Sequence, residues 1–144
     1  MKSIQTEIII NASAATVWNI LTDFNKYHEW NPFIRNSKGD AKVGAKLENT
    51  MHLEGQKPQR FTPTVLEVRQ NESFRWLGSL FVKGLFDGEH YFRLEPISEN
   101  KVKLIHGENF SGILAGMVMK MIGEATDKGF QAMNQALKAR AEQE

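Results

Sequence analysis

The 144-residue sequence contains no cysteine. Disulfides, a thiol nucleophile and a thiolate-held structural zinc are therefore excluded, and with them the disulfide-built secreted module. Charge of one sign is also missing: Lys+Arg number 18 and Asp+Glu 17, a formal net charge of +1. Such a balance supplies no long-range field to hold a polyanion, so nucleic-acid binding is not expected. Long apolar runs are absent too. The longest, Gly112 to Met119, ends at Lys120 and is far shorter than a bilayer span, so no membrane insertion is expected. The first residues, Met1 to Glu7, alternate in polarity where a secretory signal needs a continuous apolar stretch, so the expected location is cytoplasmic. The sequence has no Gly-x-Ser-x-Gly elbow, phosphate-binding loop, dinucleotide fingerprint or haem-attachment motif, so hydrolase, kinase and nucleotide-dependent readings lack support and no cofactor is expected.

What is present suits one globular domain over residues 1–144. Hydrophobic residues make up 41% and charged residues 24%. A chain of this length buries about two-thirds of its unfolded surface, enough for a core without staples.

Ile4, Thr6, Ile8 and Ile10 alternate with polar neighbours at the period of a half-buried strand. Ser13 is placed to cap a short helix over Ala14–Thr22, whose Val17, Ile20, Leu21 and Phe24 recur at helical spacing. A second helical turn fits Asn25–Glu29 and must end before Pro32. Strands are predicted at Ile34–Lys38, Ala45–Glu54, Phe61–Gln70, Ser73–Leu80, Glu89–Pro96 and Lys101–Ser111, separated by Gly, Asn, Asp and Pro turns. The turn between Leu80 and Glu89 has two candidates, Lys83-Gly84 and Asp87-Gly88. A long helix is predicted from Ile113 to Ala141, with Leu114, Val118, Met121, Ile122, Ala125, Gly129, Ala132, Met133, Ala136 and Leu137 on its buried face. This order describes an α+β domain, an antiparallel sheet with the last helix packed on one face.

That order and three passages resemble the START-like (Bet v 1-like) superfamily, the polyketide cyclase/dehydrase and lipid-transport group. The first passage is Ile8 to Trp18, a strand leading through Asn11-Ala12-Ser13 into a helix with Val17-Trp18. The second runs from Asp23 to Ile34 through Tyr27, Trp30 and Pro32. The third is Gly84 to Phe92, followed by His106 to Gly112. The third passage resembles a bacterial branch whose members have mostly no assigned function. The resemblance implies a helix-grip fold: a curved seven-stranded antiparallel sheet around the C-terminal helix, with two short helices after strand 1 and a cavity between sheet and helix. It implies no single reaction, since one fold hosts many functions.

Strand parity then assigns the inner surface. His90 shares a face with Phe92 and Leu94. His106 and Glu108 share one with Val102, Leu104 and Phe110, and Asn49 one with Leu47, Met51 and Leu53. Trp76 lies on the face of Phe74. Four polar groups, Asn49, His90, His106 and Glu108, thus intrude on an apolar lining, and each needs a partner or a ligand. The candidate ligand-binding set is Trp30, Asn49, Met51, Trp76, Phe86, His90, Phe92, His106, Glu108, Phe110, Met117 and Met121. The function expected is binding of a small hydrophobic molecule, lipid-, quinone- or polyketide-like, with the polar groups orienting it. The second reading is a cyclase or dehydratase using His90, His106 and Glu108 as acid–base machinery. The third is a chaperone-activator type of interaction protein. Two imidazoles and a carboxylate could in principle hold a metal, but their spacing across strands is not diagnostic and no metal is expected. Phe81 to Phe86 is an apolar loop that either gates the pocket or packs on Leu114.

Overall fold

The computed structural model describes residues 2–80 and 84–143, without the side chain of Leu80. Chain order is β1 (Lys2–Ile10), α1 (Ala14–Thr22), a 3-10 helix (Phe24–Glu29), β2 (Ile34–Lys38), β3 (Glu48–Met51), β4 (Gln59–Phe61), β5 (Thr64–Arg69), β6 (Ser73–Leu80), β7 (Phe86–Ser98), β8 (Lys101–Ser111) and α2 (Ala115–Glu142).

All pairings are antiparallel. Five strands form a sheet in the order β1-β8-β7-β6-β5, and three form a second in the order β2-β3-β4. Eight strands in two sheets replace the seven expected in one. The reason is Pro63, which carries no N–H for a ladder. It interrupts the expected strand Phe61–Gln70, so that β4 pairs with β3 while β5 pairs with β6. The sheets stay stitched together just before β3, where Leu47 N–H donates to the Pro63 carbonyl (2.9 Å) and Val65 N–H to the Ala45 carbonyl (2.8 Å). The expected strand Ala45–Glu54 correspondingly shortens to Glu48–Met51.

The α1 helix starts at Ser13, whose Oγ accepts from Thr16 N–H at 3.1 Å. The chain then turns back on itself in the 3-10 helix, where the buried Tyr27 hydroxyl donates to the Leu21 carbonyl. Between β6 and β7 the register runs Gly78↔Gly88, Ser79↔Asp87 and Leu80↔Phe86. The turn thus lies between Leu80 and Phe86, and Asp87 closes it by accepting from Gly84 N–H and Ser79 Oγ. The gating loop expected at Phe81–Phe86 falls partly on residues 81–83, outside the described set.

The α2 helix packs against β1, β8 and β7 of the large sheet, and its buried stripe shares Met133 and Leu137 with the expected face but is rotated from it. Its buried residues are Ala115, Thr126, Phe130, Met133, Asn134, Leu137 and Ala141. Met121 and Ala132 face solvent. The buried stripe contains two polar residues, Thr126 and Asn134, so a count of apolar spacing favours the neighbouring stripe. Both are satisfied inside: Thr126 Oγ1 donates to the Ile122 carbonyl at 2.8 Å, and Asn134 bonds β8 and β1. Gly129 lets the helix approach closely, since a Cβ there would stand 2.6 Å from the Phe33 ring.

Candidate functional site

The space between the small sheet, the large sheet and the first half of α2 is incompletely filled. It forms a narrow, partly open pocket of about 60 Å³. Phe33, Ile34, Met51 and Phe61 from the small sheet and its approach form one wall, and Trp76, Gly78, Ser79, Phe86 and Phe110 another. Ile122 and Thr126 of α2 close it. Its polar end is His90 and Glu108.

These two side chains are neighbours because β7 and β8 place His90 opposite Glu108 and Phe92 opposite His106. His90 Nδ1 lies 3.2 Å from Glu108 Oε1, and His90 Nε2 lies 2.7 Å from His106 Nε2. His106 Nδ1 reaches Asn134 Oδ1 at 2.8 Å, Asn134 Nδ2 donates to Thr6 Oγ1 at 2.8 Å, and Thr6 Oγ1 donates to the His106 carbonyl at 2.8 Å. One hydrogen-bonded chain therefore runs from the cavity through the core to β1.

Aromatic faces enclose the chain. Trp76, directly across from His90 on β6, stacks on its imidazole at 4.7 Å and 25°. Phe130 stacks on His106 at 4.3 Å and 15°. Phe130 and Asn134 sit one turn apart on α2, so one helix face supplies both the stacking ring and the hydrogen-bond acceptor. Burial, and next the neighbouring His90, hold the His106 pKa well below its ordinary 6.5, against the opposing bond to Asn134. It is neutral at pH 7. Glu108 keeps some exposure at the cavity, and its Oε2 makes no hydrogen bond among the described residues.

The whole of this arrangement sits on a scaffold with known relatives. The sequence matches, over residues 1–142, the family described as polyketide cyclase / dehydrase and lipid transport. The chain belongs to that family. No curated protein matches it in sequence. Among solved structures it is similar to a START superfamily protein from Mycobacterium smegmatis (TM-score 0.75, 22% identity, covering 98% of this chain and 97% of that one). The Zhui aromatase/cyclase from Streptomyces sp. R1128 superposes with TM-score 0.81 at 13% identity over 98% and 93% of the two chains. Norcoclaurine synthase from Thalictrum flavum does so with TM-score 0.74 at 14% identity over 99% and 94%. At these identities the likeness is one of fold.

Of the residues singled out as ligand-binding in this family member, Met51, Trp76, Phe86, His90, Glu108 and Phe110 line the cavity. His106 and Phe92 lie one layer behind it, fully enclosed. Asn49 is buried beside β2, where its Oδ1 accepts from Ser37 Oγ at 2.5 Å. Trp30 stands against Tyr27 (5.2 Å between ring centroids), on a surface groove with Thr16 and Arg140. Met117 and Met121 are 58% and 75% exposed and point away, because the helix face is rotated from the expected one. The metal alternative finds no support in the geometry. The two Nε2 atoms face each other at 2.7 Å, hydrogen-bonded, and leave no room for an ion between them. No group of three ligating side chains converges among the described residues.

Sequence reasoning missed Phe33, Ile34, Phe61, Ile122 and Thr126 in the walls, and Thr6 and Asn134 behind them. Thr6 carried a signal, since it shares the inward parity of Ile4 and Ile8 on β1. Asn134 carried none, because only the helix's packing rotates it inward.

Proposed function

We propose that the protein binds a small, neutral, mainly apolar molecule in the cavity between the sheets and α2, anchored by one hydroxyl-type donor on Glu108. The observation that carries this reading is Glu108 itself. Its Oε1 is engaged by His90, while Oε2 has no partner among the described residues at the end of an otherwise apolar, aromatic-rich hollow. Concave, mostly apolar pockets with a few fixed polar groups are the usual form of small-molecule sites. Among the described residues, no lysine or arginine lines the hollow. A free carboxylate ligand would meet Glu108 without a counter-charge, so phenol-, enol- or quinol-like molecules fit better than fatty acids. The aromatase/cyclase among the structural neighbours supports polyketide-like ligands as a first class to test.

The test is uptake of an apolar fluorescent dye and its displacement by paired competitors. Neutral phenolic compounds should displace it, whereas long-chain fatty acids should do so at least about tenfold less well, as expected for leaving one buried charge unpaired. Absence of dye uptake at any concentration overturns the reading.

A second reading is favoured by the 3.2 Å contact between His90 and Glu108 at the cavity wall. The carboxylate could take a proton from a carbon beside a carbonyl. The enolate would attack a second carbonyl of the same molecule, and the pair would return the proton to the new alkoxide. Turnover retained in both Glu108→Gln and His90→Ala would exclude it.

A further inference from the structure

The hydrogen-bonded chain behind the cavity has a fixed polarity, and that polarity starts at a backbone carbonyl. The His106 C=O can only accept, so the Thr6 hydroxyl donates to it. Thr6 Oγ1 must then receive from Asn134 Nδ2, which turns Asn134 Oδ1 towards His106 Nδ1. An amide oxygen only accepts, so His106 carries its proton on Nδ1. Burial keeps this imidazole neutral, as above, and its Nε2 is therefore a bare lone pair. The 2.7 Å contact then requires a proton on His90 Nε2. At the last contact, His90 Nδ1 and Glu108 Oε1 lie 3.2 Å apart.

We propose that Thr6 and Asn134 are positioning residues of the site. They lock His106 in the Nδ1–H tautomer and make His90 a standing Nε2–H donor, which leaves His90 Nδ1 facing Glu108 at the cavity. This deepens the binding reading and rests on it for the identity of the cavity as the site. An amide does not pass protons along, so the chain is an anchor and no wire. Thr6 and Asn134 also border an outer groove between β1 and α2. The ionisable groups bonded to His90 are Glu108 and His106, both from β8; β6 presents the Trp76 face and α2 the Phe130 ring.

Imidazole 15N NMR of the ligand-free protein reads the tautomers directly. The expected wild-type result is His106 protonated at Nδ1 and bare at Nε2, with His90 protonated at Nε2. Thr6→Val matches the volume of a half-buried side chain and removes only the hydroxyl, freeing the Asn134 amide to turn over. The Nδ1–H preference of His106 should fall by about tenfold, the effect of one lost hydrogen bond. Thr6→Ser should restore it, which a purely structural role for the side chain's bulk would not require. Asn134→Leu should abolish the preference. A wild-type His106 with its proton on Nε2, or a tautomer unmoved in both Thr6→Val and Asn134→Leu, overturns the proposal. Since no ligand enters the measurement, failed dye uptake with an intact tautomer pattern removes the binding reading alone.

Discussion

A Cβ placed on Gly88 would stand 2.0 Å from Oε2 of Glu108. The two residues lie on neighbouring strands, Gly88 two pairs beyond the His90↔Glu108 pairing, so the missing side chain is the space into which the carboxylate folds. Gly88→Ala should therefore displace the tip of a flexible side chain and leave the backbone in place. The expected outcome is loss of the His90–Glu108 contact, a change in melting free energy of about 1 kcal/mol, and phenol binding weakened about tenfold. Dye displacement and the His90 15N shifts check it; unchanged binding would show that the carboxylate does not anchor the ligand.

Acid should destabilise the protein through His106. Its folded pKa is depressed, mainly by burial, below the ordinary 6.5. The unfolded chain therefore takes up a proton that the folded one refuses. Stability is full above about pH 6.5 and falls as the pH drops from there towards the depressed value. The slope is about 1.4 kcal/mol per pH unit. His52 is shifted the same way by its own desolvation and by Arg35, but it lies near the surface and adds little. Urea melts between pH 4.5 and 8 should show this slope in the wild type and a flatter one in His106→Gln.

Gly129→Ala separates helix propensity from packing. In an exposed helix this change would stabilise by about 1 kcal/mol. Here the new methyl meets the Phe33 ring at 2.6 Å, a ring that packs on Phe130 at 5.4 Å and forms part of the cavity wall. Overpacking of this kind costs about 1–3 kcal/mol and should win. Calorimetry should find the variant less stable, with dye affinity altered as Phe33 shifts.

Tyr27→Phe supplies a control away from the cavity. Burial, and next the Asp23 carboxylate, hold this phenol pKa well above its ordinary value, so it stays a donor to the Leu21 carbonyl throughout the working pH range. Removing the hydroxyl leaves that buried acceptor one partner short. A loss of about 1–2 kcal/mol on thermal melting is expected, with dye binding unchanged.

These variants also divide what could be read early from what could not. The period of two along β7 and β8 put His90, His106 and Glu108 on the inward face of an apolar sheet, and they lie there. That rule is local, set by the pleat of each strand, and needs no knowledge of partners. The Pro63 break was legible in principle for the same reason, since a missing N–H is a property of one residue. The face of α2 was another matter. Met121 reads as core by spacing and lies 75% exposed, while Asn134, absent from the expected apolar stripe, is buried. The helix turns the less apolar stripe inward because that stripe carries Phe130 to stack on His106 and Asn134 to satisfy it.

Composition and periodicity alone thus determined the class of the domain, the order of its elements and which strand residues point inward, because those follow from interactions within a few residues. Tertiary structure alone decided that Asn134 meets Thr6 across 128 residues, that Gly88 makes room for Glu108, and which of the inward groups reach the cavity. Those outcomes depend on how one helix rolls against a sheet. That roll is settled by the sum of contacts across the core, which no stretch of the chain carries by itself.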